Sequence, residues 1–417
     1  MALLWRCFQL ANWVCFMSII SSRLSRIKPS ATNVLTGKVT ELKAAGKKII
    51  ALNAGEPDFD TPLHIKQAGI KAIESGETKY TPIAGTLALR KAITAKFERE
   101  NSLVYDPMKQ VTVGCGGKQV IFNAMMATLE IGDEVIIPAP YWVSYPDIVL
   151  LAEGNPIFVE CPSQTGFKML PEMLEKAITP KTKWVFINSP NNPSGATYTQ
   201  KELTEISEVL VKYPKIWILT DDIYEKIIYG DFQFSTIAQI EPRLYDRTLT
   251  LNGVSKAYSM TGWRLGYAAG PVELISAINN IQSQSTTHTS SITQAAAVEA
   301  LNGPHDFVAK NNDQFKQRRD LVVSMLNKTT GVSCLTPRGA FYVYPSCAGI
   351  IGKKTPTGKI ISDDTSFCTY LLEAQQVAVV PGNAFGMSPF FRISYATSKG
   401  DLEDACKRIQ HACEALR

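Results

Sequence analysis

The chain has 417 residues, 45% of them apolar and 19% charged, with a formal net charge of +5 at pH 7. That length exceeds one compact core and sets two domains as the first expectation, and the composition is ordinary for a globular enzyme. The positive excess is small and gathers into no basic run, so the electrostatic footprint of a nucleic-acid binder is missing. Nine cysteines without a CxxC pair and four scattered histidines offer no zinc ribbon, disulfide framework or metal-ligand spacing. This is the usage of reduced thiols in a cytoplasmic protein.

Residues 1–16 read MALLWRCFQLANWVCF, apolar but broken by Arg6, Gln9 and Asn12. The run is too short to span a bilayer, and no clear cleavage site follows. It reads as a leader or a mis-assigned start, with Met17 opening the body of the chain. In the segment 17–60, VTELKAAGKKIIALN (39–53) predicts a helix followed by a strand.

From 61 to 304 short apolar runs alternate with amphipathic stretches. VTVG (111–114), DEVIIPA (133–139), WVFINS (184–189), WILTDD (217–222) and TLTLNG (248–253) read as strands, several ending in Gly, Pro or Asn clusters. Residues 119–132 and 199–213 read as helices, the second opened by a capping box of Thr199 and Glu202. Such alternation argues an α/β fold on a mostly parallel sheet. From 305 to 417 the texture changes to a long charged helix, short strands around AFYVYP and FRISYA, and a last helix, a smaller α+β domain that residues 17–60 are expected to join.

Several strand ends carry chemistry. Val113-Gly-Cys-Gly-Gly-Lys118 passes from strand through glycines into a helix, a junction that offers backbone N–H groups to an anion. Asn192 sits on the proline-braced loop after 184–189, and Asp221 ends 217–222. After 248–253 come Ser255, Lys256 and, beyond Gly262, Arg264. A lysine that forms a Schiff base must be partly neutral near pH 7, and a neighbouring guanidinium both favours this and can hold a phosphate. A carboxylate beside a pyridine nitrogen would keep that ring an electron sink. Each feature alone is also an ordinary turn or surface charge; their order and joint presence distinguish this chain.

PNNPSG, TDDIYE, NGVSKAY, GWRLGY and FRISYA together resemble fold-type I, class I aminotransferases, with GGKQ and YWVSY pointing to the aspartate aminotransferase subgroup, some members of which also use prephenate. The resemblance runs from about residue 18 to the C-terminus. It implies a large domain with a mostly parallel seven-stranded sheet, a smaller α+β domain, and pyridoxal 5′-phosphate as cofactor. By motif, Lys256 would be the Schiff-base lysine and move the proton at substrate Cα. Asp221 would pair with the ring nitrogen, Asn192 and Tyr224 with the ring oxygen, and Trp142 would stack on the ring. Gly117, Lys118, Ser255 and Arg264 would hold the phosphate, helped by Tyr80 of a second subunit, so a homodimer is implied. Position 253 is glycine where many relatives carry a phosphate-binding serine. Arg392, with Gly55 closing over it, would clamp the α-carboxylate, and Lys118 the distal carboxylate. Lys28, or Arg26 nearby, would serve prephenate's second carboxylate.

The implied reaction is a ping-pong transfer of the amino group from aspartate to 2-oxoglutarate, with prephenate as a further acceptor. Open alternatives are an aromatic or broad-specificity aminotransferase, a β-lyase or a synthase on the same scaffold. A cofactor-sensing regulator would need a DNA-binding module, for which the residues before Met17 leave no room.

Overall fold

The computed structural model describes residues 19–417; the expected leader, residues 1–16, lies outside them. Among the described residues there are twelve strands, β1 (Ile50–Ala51), β2 (Val111–Gly114), β3 (Glu134–Ala139), β4 (Asn155–Glu160), β5 (Thr182–Asn188), β6 (Trp217–Asp221), β7 (Thr248–Gly253), β8 (Gly266–Ala269), β9 (Tyr342–Val343), β10 (Val377–Ala378), β11 (Val380–Pro381) and β12 (Phe391–Ser394). The helices are α1 (Ala31–Ala44), α2 (Leu63–Glu74), α3 (Leu87–Asn101), α4 (Gly117–Thr128), α5 (Ser144–Leu151), α6 (Pro171–Ala177), α7 (Gln200–Val211), α8 (Ile237–Ile240), α9 (Val272–Ser283), α10 (Ser291–Asn302), α11 (Asp306–Leu326), α12 (Asp364–Gln375) and α13 (Lys399–Glu414).

Seven strands form one sheet in the order β2-β8-β7-β6-β5-β3-β4. All pairings are parallel except those of β8, which runs antiparallel to both β2 and β7. The central strands are buried on both faces, which explains their near-continuous apolar runs. Trp184 and Phe186 of β5 pack on one side with α4, α5 and α9. Val185 and Ile187, between them, pack on the other side with α7. The α7 capping box expected from Thr199 and Glu202 is formed.

The C-terminal part carries a three-stranded antiparallel sheet, β11-β12-β9, and a parallel pair, β1-β10. Through that pair the chain before residue 60 is bonded to the chain beyond 305: Ile50 pairs with Val377 and Ala51 with Ala378. α11, α12 and α13 enclose these strands in a core that includes Phe315, Phe367, Leu402 and Ile409. α1 buries a single residue, Val39.

Candidate active site

β5, β6 and β7 end on the same edge of the large sheet, and β2 delivers the start of α4 to that edge. Asn188 and Asp221 are register partners there, and Gly253 ends β7 just before Ser255 and Lys256. This edge is where ligands of open parallel sheets bind, because the strand-end loops diverge and leave a crevice. A cavity of about 330 Å³ opens here. Gly55, Gly117, Lys118, Trp142, Asn192, Asp221, Tyr224, Ser255, Lys256, Arg264 and Arg392 all line it. Its cations, Lys118, Lys256, Arg264 and Arg392, outnumber its acids, Glu56 and Asp221. The cavity therefore suits an anionic guest.

Helix α4 begins at Gly117 with no capping side chain. Its first N–H groups and positive dipole end are left for an anion. Arg264 lies across this start, its Nη1 donating to the Thr261 carbonyl at 3.0 Å and Nη2 to the Cys115 carbonyl at 3.3 Å. A Cβ on Gly116 would meet Arg264 Nη2 at 2.5 Å, and one on Gly266 would meet the Gly117 nitrogen at 2.1 Å. Glycine is required at both places for the guanidinium, β8 and the helix start to share the space. Gly253 has the same explanation: a Cβ there would stand 2.9 Å from Ile223 Cδ1 and 3.1 Å from the Leu265 carbonyl. A serine at 253 would require Ile223 and the Leu265 carbonyl to give way.

Asp221 is 6% exposed. Its Oδ2 accepts the Tyr145 hydroxyl at 2.6 Å and its Oδ1 the Ile223 N–H at 3.3 Å. Burial raises its pKa against these two bonds, so a cationic ring nitrogen at Asp221 would supply what burial has removed. Beside it the Tyr224 and Tyr342 hydroxyls are 2.9 Å apart. Lys256 Nζ donates to the Gly55 carbonyl at 2.6 Å and stands 5.8 Å from the Tyr224 ring centre. Burial, reinforced by Arg392 and Arg264 and opposed by Glu56 and Asp221, brings its pKa down to about 8. A fraction of neutral amine is thus present near neutral pH, as a Schiff-base lysine requires.

Arg392, on β12, is 2% exposed. Nη1 donates to Asn192 Oδ1 at 3.0 Å and Nη2 to the Asn53 carbonyl at 2.7 Å. Its guanidinium carbon lies 4.6 Å from the Tyr342 ring centre and 5.0 Å from that of Phe385. Nε is buried without a partner. A buried cation with an unused donor and no counter-ion calls for a carboxylate. The clamp also reaches outward: Asn53 Nδ2 donates to Thr36 Oγ1 at 3.0 Å, so α1 is joined to it through one residue. On the other side Lys118 Nζ lies 4.9 Å over the Trp142 ring. Burial and then Arg264 lower its pKa, opposed by Asp147.

Two expected site residues stand elsewhere. Tyr80 is 91% exposed and lies edge-on to His288 outside this chain's own cavity. Lys28 is exposed and is not among the cavity-lining residues. Burial raises the Asp147 pKa, opposed by Lys28 and Lys118, so its carboxylate lies within electrostatic reach of both. Arg26 ties the same segment to Glu153 of the loop after α5 at 3.4 Å. Sequence reading missed Asn53, Tyr145 and Tyr342. Tyr145 stands within the quoted YWVSY block, three positions past Trp142, and that was its available signal. Among the described residues no group of His, Cys, Asp and Glu is arranged to hold a metal, and no helix is long and apolar enough to cross a membrane.

Residues 47–409 match the family described as aminotransferase class I and II. The chain belongs to that family. The aminotransferase is 60% identical over 400 residues to the aspartate/prephenate aminotransferase of Cereibacter sphaeroides, covering 96% of this chain and 100% of the relative. It superposes on the crystal structure of the Rhizobium meliloti aspartate aminotransferase with a TM-score of 0.93, at 55% identity, covering 95% and 99% of the two chains. Against Thermus thermophilus aspartate aminotransferase with maleate the TM-score is 0.89, at 41% identity, covering 95% and 100%. The cofactor of this aminotransferase is pyridoxal 5′-phosphate. The uncapped helix start, the neutral partners of Asp221 and the lowered pKa of Lys256 fit that group.

Proposed function

We propose that this aminotransferase moves the amino group of aspartate to 2-oxoglutarate in a ping-pong reaction, and that prephenate is a second acceptor. The observation that carries the reading is the pair of cationic ends, Arg392 with its unused Nε and Lys118 over Trp142, with Lys256 in the same cavity. A dicarboxylic acid answers both ends at once, and the aspartate-named relatives above support the choice.

Pyridoxal phosphate, when bound, supplies a carbonyl carbon for amines and a ring that accepts the electron pair left at substrate Cα. The protein's residues bind, orient and move protons. Gly117 and Lys118 at the α4 start, Ser255 and Arg264 would hold the phosphate. Asp221 would keep the ring nitrogen protonated, Asn192 and Tyr224 would hold the ring oxygen, and Trp142 would cover one face. Arg392 would take the α-carboxylate, with Gly55 closing beside it, and Lys118 the distal one. Lys256 Nζ would take the proton from Cα of the bound substrate. The pKa of about 8 leaves both of its forms populated near neutral pH.

The exposed Tyr80 supports a homodimer in which each subunit's tyrosine reaches the other's phosphate site. Lys28, exposed on the segment before α1 and outside the cavity lining, would meet a second carboxylate through a movement of that segment. We also place domain boundaries near residues 60 and 304 and the protein in the cytoplasm, in keeping with free thiols at Cys115, Cys161, Cys334, Cys347, Cys368, Cys406 and Cys413.

The test is a two-substrate assay of the purified protein with added pyridoxal phosphate. Aspartate is the donor, 2-oxoglutarate and prephenate are separate acceptors, and Lys256→Ala and Lys28→Ala run alongside. Turnover with both acceptors, abolished in Lys256→Ala and lost selectively for prephenate in Lys28→Ala, is the expected result. Sustained keto-acid release with free ammonia, beyond the cofactor supplied and without any acceptor, would assign the site to elimination chemistry instead.

A further inference from the structure

Lys96, on α3, is 0% exposed, yet neither it nor its partners line the cavity. It ion-pairs with Glu225 Oε1, and its Nζ donates to Asn101 Oδ1 at 2.8 Å. Asn101 Nδ2 in turn donates to Glu225 Oε2 at 3.1 Å. The three side chains therefore close a buried triangle in which each bonds to both others. Glu100 flanks it, 3.6 Å from Lys96 and 2.9 Å from Lys226. A buried pair of this kind adds little net stability, because desolvating both charges offsets their attraction, and apolar side chains of similar volume commonly do as well. What a closed, fully satisfied triangle does supply is a single geometry.

That geometry is imposed beside the site. Glu225 follows Tyr224 directly, in the turn that leaves β6. The turn is pinned by the Glu225 N–H to the Asp222 carbonyl at 2.9 Å and the Ile227 N–H to the Tyr224 carbonyl at 2.8 Å. Its outer side faces the end of α3; its inner side presents the Tyr224 hydroxyl to the cavity, facing Tyr342, Asp221, Arg392 and Lys256.

We propose that the Lys96–Asn101–Glu225 triangle is a positioning device for Tyr224. It anchors the turn to the rigid end of α3 and so sets where the phenol stands against the cofactor's ring oxygen and Lys256. The inference rests on the cofactor site described above but not on the choice of substrate. No member of the triangle touches the reacting atoms.

The experiment uses the holoenzyme in three forms, parent, Asn101→Leu and the double variant Lys96→Met/Glu225→Leu, with Tyr224→Phe as reference. The readouts are the pH midpoint of the bound cofactor's visible absorption change, the melting temperature, and kcat and KM for aspartate. In the double variant, whose apolar replacements restore the packing, the melting temperature stays near the parent's. Its absorption midpoint nevertheless moves by about half a pH unit or more toward that of Tyr224→Phe. Its kcat falls about tenfold, as a misplaced site group demands, while KM holds because Arg392 is untouched. A folded double variant with the parent's midpoint and kcat overturns the proposal. Should that variant not fold, Asn101→Leu decides by the same criteria. A parent that takes up no pyridoxal phosphate overturns the cofactor reading and this inference with it. A parent that takes it up while its folded variants match it overturns this inference alone.

Discussion

At the sheet edge, Asp221, Tyr224 and Asn192 are all buried; Asp221 ends β6, and the other two stand in the loops that leave β6 and β5. At the cavity mouth, Ser30, Thr32 and Thr36 line the same space from α1 and the residue before it, and α1 buries only Val39. The first group is held by strand pairing and by buried hydrogen bonds such as Tyr145 to Asp221; the second by a thin apolar contact and a few polar links. The difference assigns tasks. A cofactor that stays bound can be met by a preorganised edge, whereas substrates that exchange at every half-reaction need a boundary that gives way.

Arg392 belongs to both regions, since it stands on a strand and binds α1 through Asn53, so its replacement tests the division most severely. Arg392→Lys keeps the charge but loses the planar fork. Its kcat/KM for aspartate should fall roughly a hundredfold, about 3 kcal/mol, while cofactor affinity measured by fluorescence titration stays close to the parent's. A large loss of cofactor binding would show that the two regions are not separable. Gly253→Ser probes the rigid side. The crowding by Ile223 and Leu265 should cost about 1–3 kcal/mol of stability and bring no tighter phosphate binding; a rise in both melting temperature and cofactor affinity would refute the steric account.

Asp222 sharpens the same side through pH. Burial pushes its carboxyl up to about 8 from an ordinary 3.8. The folded chain therefore keeps a proton that the unfolded chain has released. Any stability from that proton is complete below about pH 4 and is lost as pH rises toward 8. Asp222→Asn, which mimics the protonated form, should gain melting temperature over the parent progressively between pH 5 and 8. A difference independent of pH would contradict the assignment. The smallest effect belongs to the mouth: Thr36→Val removes the acceptor of the Asn53 amide and should raise KM for aspartate about two- to fivefold with cofactor affinity unchanged. Thr40→Val, one turn further along α1 and outside the cavity lining, is the control and should leave KM where it was.

Much of the rigid region was legible in the sequence, because strands buried on both faces write themselves as apolar runs and their ends as Gly, Pro and Asn. VTVG and TLTLNG match β2 and β7 residue for residue. β8 was not read. Its four residues, Gly-Tyr-Ala-Ala, have neither β-branched enrichment nor alternation; they are a strand because β2 and β7 lie on either side of them. Asn53 and Tyr342 were invisible for a related reason, and Tyr145 was signalled only by its place in the YWVSY block. Their partners, such as Asp221 for Tyr145 and Tyr224 for Tyr342, are supplied by tertiary folding. Lys28 shows the limit in the other direction: a motif names the residue type, but no local spacing announces that the folded segment leaves Lys28 exposed and outside the cavity lining.

The Arg26–Glu153 pair adds a consequence of its own. Its side chains are 43% and 38% exposed, so dissolved ions can compete for both. Screening over a Debye length of about 8 Å at physiological ionic strength weakens such a contact, whereas the Asp221 carboxylate, deep in the fold, feels little of it. Ionic strength therefore acts unequally on the two regions. Raising it weakens the tie between Arg26 and Glu153, and with it the hold on the segment before α1, while the buried bond from Tyr145 to Asp221 is left largely as it was.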